Sequence, residues 1–148
     1  MLNALTDLKV EPQVIDEGAD KETLTGSGVD MAGYSGGVMF IAYVQGGEAE
    51  NGFVLSAEGA DESDFSDATD ILDPDTGVAV AVELKTTVAA AGYACLEIIK
   101  PRTRYLRPVL TVPDLVAAKA VSIIAVLTDP YHAPVDNEGL ALVSPNRQ

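Results

Sequence analysis

The sequence has one cysteine, Cys95, one histidine, His132, and no tryptophan among its 148 residues. A structural zinc site needs several cysteine or histidine ligands, and an internal disulfide needs two cysteines, so neither can form. Long apolar runs are missing too: Val38 to Val44, among the longest, falls far below the ~20 residues of a membrane-spanning helix. The N-terminus lacks the basic residues and continuous apolar stretch of a secretory signal. We therefore expect no metal site, no cofactor, no membrane partner and no secretion.

Basic residues are also scarce: 9 Lys and Arg face 23 Asp and Glu, which gives a formal net charge of -14. Nucleic acid binds basic surfaces, so an acidic chain of this kind is not expected to bind it directly. The hydrophobic fraction of 47% is enough to close a core, so the acidity belongs to a folded chain. The length predicts a single domain.

Turn residues separate short apolar or alternating stretches at regular intervals, a pattern typical of an all-β sandwich or barrel. The last stretch could instead begin as a helix capped by Asp114, but its β-branched residues favour a strand. The candidate strands are Leu24 to Asp30, Gly37 to Gln45, Gly52 to Glu58, Asp64 to Ile71, Val78 to Lys85, Tyr93 to Lys100, Thr103 to Val112 and Lys119 to Leu127.

Three regions follow from this pattern. Residues 1–22 are mixed in composition and predict an extended N-terminal arm, residues 23–130 predict the sandwich, and residues 131–148 predict a C-terminal tail. Within the arm, three leucines recur at helical spacing and would need a surface on which to lie, such as one on another chain. These residues are Leu2, Leu5 and Leu8.

Two strands lack the polar alternation of a sheet with one face in water. Small alanines facing solvent explain Val78 to Val82, but Val38 to Val44 carries large apolar residues on both faces. An exposed apolar patch usually marks a subunit contact, so this strand predicts self-association. The apolar neighbours of Cys95 predict a buried side chain.

Charges of opposite sign are segregated along the chain. Ten acids and no Lys or Arg lie between Glu48 and Asp75, whereas four cations share one eight-residue window. Such segregation suits docking to a charged surface or to further copies of the chain. The alternative is that the acids maintain solubility and the arginines pair with them internally. The four cations are Lys100, Arg102, Arg104 and Arg107.

Neither a metal site nor a catalytic site is indicated by the polar residues. Asp73 to Gly77 is similar to the start of a calcium loop, but its glycine comes one position early and no Glu closes the loop. His132 lies among turn residues, which predicts a surface loop rather than a catalytic base. The carboxylates do not single out an acid and nucleophile pair. We expect a protein that is not an enzyme.

Several segments follow one another in a recognisable order: Thr25 to Tyr34, Val38 to Val44 with Gly46-Gly47, Phe53 to Glu58, Asp61 to Phe65, Lys100 to Arg107, the strand toward Leu127, and Pro130 to Pro134. This order resembles that of small virion proteins that tailed bacteriophages encode beside the major capsid gene. The resemblance covers about residues 24–135, and the order of its motifs carries it more than any one motif.

This resemblance implies a head decoration, or cement, protein: a jelly-roll-like β-sandwich of about eight strands, bound as a homotrimer on the outside of the capsid. Such a protein is made in the host cytoplasm and stabilises the expanded head. Its partners are the major capsid protein and its own copies. The expected capsid or subunit contacts are Leu2, Leu5, Leu8, Arg102, Arg104, Tyr105 and Arg107.

Two other functions remain open from the sequence. Some related β-sandwiches serve as tail or head-tail connector proteins, which occur in few copies per virion. A carbohydrate-binding β-sandwich is the more distant alternative, because sugar platforms use aromatic residues and this chain has 5% aromatics and no tryptophan.

Overall fold

The computed structural model describes residues 7–16, 23–45, 53–84, 91–111 and 120–132. Leu2, Leu5, Asp114 and the predicted tail from residue 133 lie outside the described residues. The described part contains ten strands: β1 (Leu8–Asp16), β2 (Thr23–Thr25), β3 (Val29–Asp30), β4 (Gly37–Gln45), β5 (Phe53–Ala60), β6 (Thr69–Asp70), β7 (Ala81–Leu84), β8 (Ala91–Ile99), β9 (Tyr105–Thr111) and β10 (Ala120–Thr128).

The strands form two antiparallel sheets. The four-stranded sheet has the order β1-β10-β4-β8. The six-stranded sheet has the order β2-β9-β5-β6, with β3 also paired to β9 and β7 also paired to β5. The predicted all-β sandwich is therefore confirmed.

The core lies between the two sheets and follows the two-residue period of the strands. In β4, Val38, Phe40, Ala42 and Val44 are all fully buried, because alternate residues of a strand share one face. From the six-stranded sheet, the same core cluster receives side chains of β5 and β9, among them Phe53, Leu55, Leu106 and Leu110. Burial of this apolar surface is the main force that holds the sheets together.

The predicted arm is wrong for residues 8–16, which form the edge strand β1. This strand pairs with β10 from Leu8 opposite Thr128 to Asp16 opposite Val121. A bulge between Pro12 and Val14 shifts the register, so the sequence shows no regular alternation there. Proline is tolerated beside this bulge, because the regular ladder of hydrogen bonds is interrupted there. The sandwich therefore begins well before residue 23.

Two further predicted strands are interrupted by turns. Leu24 to Asp30 divides into β2 and β3, because Gly28 adopts a positive φ of 91° between them. Within the predicted strand Asp64 to Ile71, only Thr69–Asp70 forms a strand in the structure. The strand interpretation of the last segment is confirmed, since β10 pairs with β4 from Ala120 opposite Gln45 to Leu127 opposite Val38.

Candidate interaction surfaces

One end of the sandwich is built from the β3–β4 and β8–β9 connections and the residues that follow β10. The N–H of Lys100 donates to the carbonyl of Gly36 at 2.7 Å, and the N–H of Tyr131 donates to the carbonyl of Gly33 at 2.7 Å. These backbone hydrogen bonds join three segments that are far apart in sequence. We call this region, residues 31–36, 100–104 and 129–132, the loop end.

A pocket of about 420 Å³ opens at the loop end. Three cations and one carboxylate contribute to its wall, together with two tyrosines. This is the region of the described structure where basic side chains converge on a concavity. The charged and aromatic lining residues are Lys100, Arg102, Arg104, Asp61, Tyr34 and Tyr131.

Arg104 is paired within the chain. Its Nε donates to Oδ1 of Asp30 and its Nη2 donates to Oδ2, both at 2.9 Å, in the bidentate geometry that suits a guanidinium and a carboxylate. The hydrogen bond from Arg104 holds the pKa of Asp30 below its ordinary value. The Arg104 guanidinium also lies 5.0 Å from the centre of the Tyr105 ring.

Arg107 is also paired within the chain. Its Nε donates to Oε2 of Glu58 at 2.8 Å, and its guanidinium carbon lies 4.7 Å from the centre of the Phe65 ring. Phe65 in turn makes an edge-to-face contact with Tyr105, with ring centres 6.4 Å apart. Two cations, Arg104 and Arg107, therefore flank the two aromatic rings on the outer surface of the six-stranded sheet.

Lys100 and Arg102 differ from the two paired arginines. Both side chains are exposed, and neither has a carboxylate partner among the residues that the structure describes. The alternative from the sequence, that the basic residues pair with acids of the same chain, is therefore correct for Arg104 and Arg107. Among the described residues it is not observed for Lys100 and Arg102. As contacts to another chain, Arg102, Arg104, Tyr105 and Arg107 stay predictions.

Leu8 is the one predicted arm leucine within the described residues. It begins β1 opposite Thr128 and is half-buried. The structure therefore places Leu8 at the edge of the four-stranded sheet, away from Arg107 on the other sheet.

Several carboxylates in residues 61–76 accept hydrogen bonds that stabilise the turns of this segment. Asp67 accepts hydrogen bonds from the N–H groups of Asp61 and Glu62 at 3.0 and 3.1 Å. Asp73 accepts them from the N–H groups of Thr76 and Asp75 at 3.0 and 2.8 Å. Turns of this kind are a common use of aspartate, so these residues have a local structural role.

These hydrogen bonds favour the charged form of the acids. The N–H groups of Asp61 and then Glu62 hold the pKa of Asp67 below its ordinary value of 3.8. The N–H groups of Thr76 and then Asp75 do the same to the pKa of Asp73. Among the described residues, no group of three or more His, Cys, Asp or Glu side chains could hold a metal ion.

The side of the four-stranded sheet that faces away from the core, which we call the outer face, is mostly apolar. Tyr93 is 72% exposed, Ile99 67% and Tyr43 43%. Among the described positions of this face, Glu97 is the one charged residue. The register places on it Leu8, Val10, Pro12, Met39, Ile41, Tyr43, Tyr93, Cys95, Glu97, Ile99, Ser122, Ile124, Val126 and Thr128.

The prediction that Cys95 is buried is wrong, because its side chain is exposed on the outer face. Its apolar sequence neighbours Ala94 and Leu96 point into the core, and alternate residues of a strand point to opposite faces. The two-residue period from Tyr93 to Ile99 is the sequence signal that places Cys95 on the outer face. The prediction of an apolar outer face used only the corresponding period in Val38 to Val44. His132 is exposed at the loop end, as predicted.

No helix in the part of the chain that the structure describes is long and apolar enough to cross a membrane. In comparisons with known proteins, no protein-family model and no curated protein matches the chain.

Proposed function

We propose that the chain is a virion structural protein of a tailed bacteriophage, a decoration or cement protein that binds the outside of the capsid as a trimer and stabilises the head. The resemblance of residues 24–135 to such proteins supports this function, and a β-sandwich is the fold that the resemblance implies. The partners are the major capsid protein and two further copies of the chain.

The observation that carries the proposal is the presence of two exposed cations, Lys100 and Arg102, beside the pocket at the loop end. In a chain with a net charge of -14, cations without a carboxylate partner in the described structure are available to a partner. Carboxylates on a capsid surface would complete the pairing at the loop end. Arg104 and Arg107 already have such partners, so they contribute less.

Stabilisation of a shell by such a protein is additive. Each trimer joins neighbouring capsid subunits, and many modest contacts raise the barrier to rupture of the whole shell. Each single contact can therefore be weak.

The experiment is rebinding of the purified chain to heads stripped of their outer proteins, measured by co-sedimentation. We expect the variant Lys100→Gln/Arg102→Gln to bind at least about tenfold more weakly, because it loses two ionic contacts. Its thermal unfolding should match the wild type, since neither side chain has a partner in the described structure.

The matched control is Asp30→Asn/Arg104→Gln, which removes one cation and one carboxylate from the same region and leaves its net charge unchanged. Head binding by this variant should fall much less than that of Lys100→Gln/Arg102→Gln, because Arg104 already has a carboxylate partner within the chain. Wild-type affinity in Lys100→Gln/Arg102→Gln, or no binding by the wild type, would contradict the proposal. Binding confined to one vertex would indicate a connector instead.

A further inference from the structure

We propose that copies of this chain associate through the outer face of the four-stranded sheet. The proposal goes beyond the proposed function, because two identical faces packed against each other close as a two-fold dimer and not as a trimer. Its test uses the purified chain without heads. The experiment can therefore reject the contact surface without rejecting the virion role, and the head-binding experiment can reject the virion role without rejecting the contact surface.

The apolar residues of the outer face are contiguous. In the register of β10, β4 and β8, Ile41 lies between Ile124 and Cys95, and Tyr43 lies between Ser122 and Tyr93. Adjacent strands are ~4.8 Å apart, so these side chains form one patch rather than scattered exposed residues.

The charge distribution identifies a second copy as the partner that fits. Two chains of net charge -14 repel each other, so they approach most easily where charge is absent. The outward side of the six-stranded sheet does not meet this condition, because it carries Asp30, Arg104, Glu58 and Arg107. The outer face of the four-stranded sheet has Glu97 as the one charge among its described positions.

The size of the outer face is sufficient for a specific contact. Four strands of nine residues cover about 19 Å by about 30 Å, or roughly 550 Å² per copy. Two such faces remove roughly 1,100 Å² from water, above the ~1,000 Å² expected of a biological interface. Two apolar sheet faces can pack at the spacing of about 10 Å found inside sandwiches.

The test is the molar mass in solution, measured by light scattering over a range of protein concentrations. The wild type should be multimeric, and Tyr93→Asp and Ile99→Asp should shift the mass to that of one chain at the same concentration. Both side chains are more than two-thirds exposed, so the substitutions should leave the fold intact, as circular dichroism and thermal unfolding will show.

The matched control is Leu72→Asp, which places the same charge at a residue that is 55% exposed beside the six-stranded sheet. It should retain the wild-type mass. A monomeric wild type would overturn the proposal, as would an unchanged mass in both Tyr93→Asp and Ile99→Asp.

The single thiol of the chain gives an independent measurement. Cys95 lies within the outer face, so its reaction with a chromogenic aromatic disulfide should be slow in the multimer and at least about tenfold faster in Ile99→Asp. Ile99 is four residues from Cys95 along β8, which limits any direct effect of the new carboxylate on the thiol. Equal rates would overturn the proposal. A slow thiol in a monomeric wild type would also overturn it, since another segment of the same chain would then cover the face.

Discussion

Glu58 and Arg107 lie directly opposite each other on β5 and β9, and Nη2 of Arg107 is 2.7 Å from Oε2 of Glu58. The ring of Phe65 covers the guanidinium, so both side chains of the pair are only about one-quarter exposed, at 26% and 27%. Phe65 belongs to the turns between β5 and β6. The pair therefore joins two strands and, through Phe65, holds the turns after β5 against the sheet.

The Glu58–Arg107 pair should stabilise the fold measurably. A double-mutant cycle with Glu58→Gln and Arg107→Gln should give a coupling energy of about 1 kcal/mol, because the pair is partly shielded from water. Chemical denaturation of the four proteins measures it.

The Asp30–Arg104 pair is the matched comparison for this cycle. Its side chains are 42% and 55% exposed, so solvent screens the attraction more strongly. A cycle with Asp30→Asn and Arg104→Gln should give a smaller coupling. A larger coupling for this exposed pair would contradict our account of the shielding by Phe65.

Gly28 should be intolerant of alanine for two reasons. Its φ of 91° is disfavoured by any side chain, and a Cβ placed there would lie 2.5 Å from the Phe65 ring. We expect Gly28→Ala to lower the free energy of unfolding by about 2–4 kcal/mol.

Gly33 separates the two causes, because it has a similar φ of 94° and no atom within 4 Å of an added Cβ. Gly33→Ala should show the backbone cost alone, about 1–2 kcal/mol. Equal losses in both variants would show that Phe65 moves aside without cost.

Asp67 should make the stability depend on pH. Its pKa is below 3.8 in the folded chain, because the N–H groups of Asp61 and Glu62 favour the carboxylate. Its stabilising contribution is therefore fully present above the ordinary pKa and is lost as the pH falls through the lower, folded-state pKa. Asp67→Asn should lower the melting temperature at pH 7, and the difference from the wild type should shrink as the pH falls below the ordinary pKa of 3.8.

Asp70 supplies the control for this measurement, because it is exposed in β6 and its side-chain carboxylate accepts no hydrogen bond among those described. Asp70→Asn should leave the melting temperature at pH 7 nearly unchanged. The difference in melting temperature between Asp67→Asn and the wild type should not stay constant from pH 7 to pH about 2.5, which is about one unit below the ordinary pKa of aspartate. A constant difference over this range would contradict the assigned role of Asp67.

Because residues 8–16 form β1, a test of the predicted arm must leave this strand in place. A deletion of residues 1–20 would remove β1 and disturb the sheet, whereas deletion of residues 1–6 removes Leu2 and Leu5 and keeps β1. We expect the shorter deletion to leave the melting temperature unchanged and to weaken binding to stripped heads. Binding at wild-type strength would remove Leu2 and Leu5 from the contact.

The local pattern of the sequence was sufficient for much of the sandwich. The predicted strand Gly37 to Gln45 is confirmed at both ends, because glycines bound an uninterrupted apolar run. The strand β1 was missed because a bulge and Pro12 hide its alternation. In both cases the local pattern decided the prediction.

The interaction surfaces were less predictable, because they depend on residues that are far apart in sequence. Glu58 meets Arg107 through the register of β5 and β9, which no local pattern specifies. Which side chains share the outer face likewise depends on the order of four strands. The sequence alone therefore predicted only the part of the outer face that lies within β4. That Lys100 and Arg102 have no carboxylate partner among the described residues follows from the same long-range arrangement.

The most direct test of the proposed virion role is the copy number of the chain in purified virions, measured by quantitative mass spectrometry against the major capsid protein. A decoration protein that occupies sites over the whole shell should be present in a number comparable to that of the capsid subunits. Complete absence from virions, or only a few copies per particle, would contradict the account.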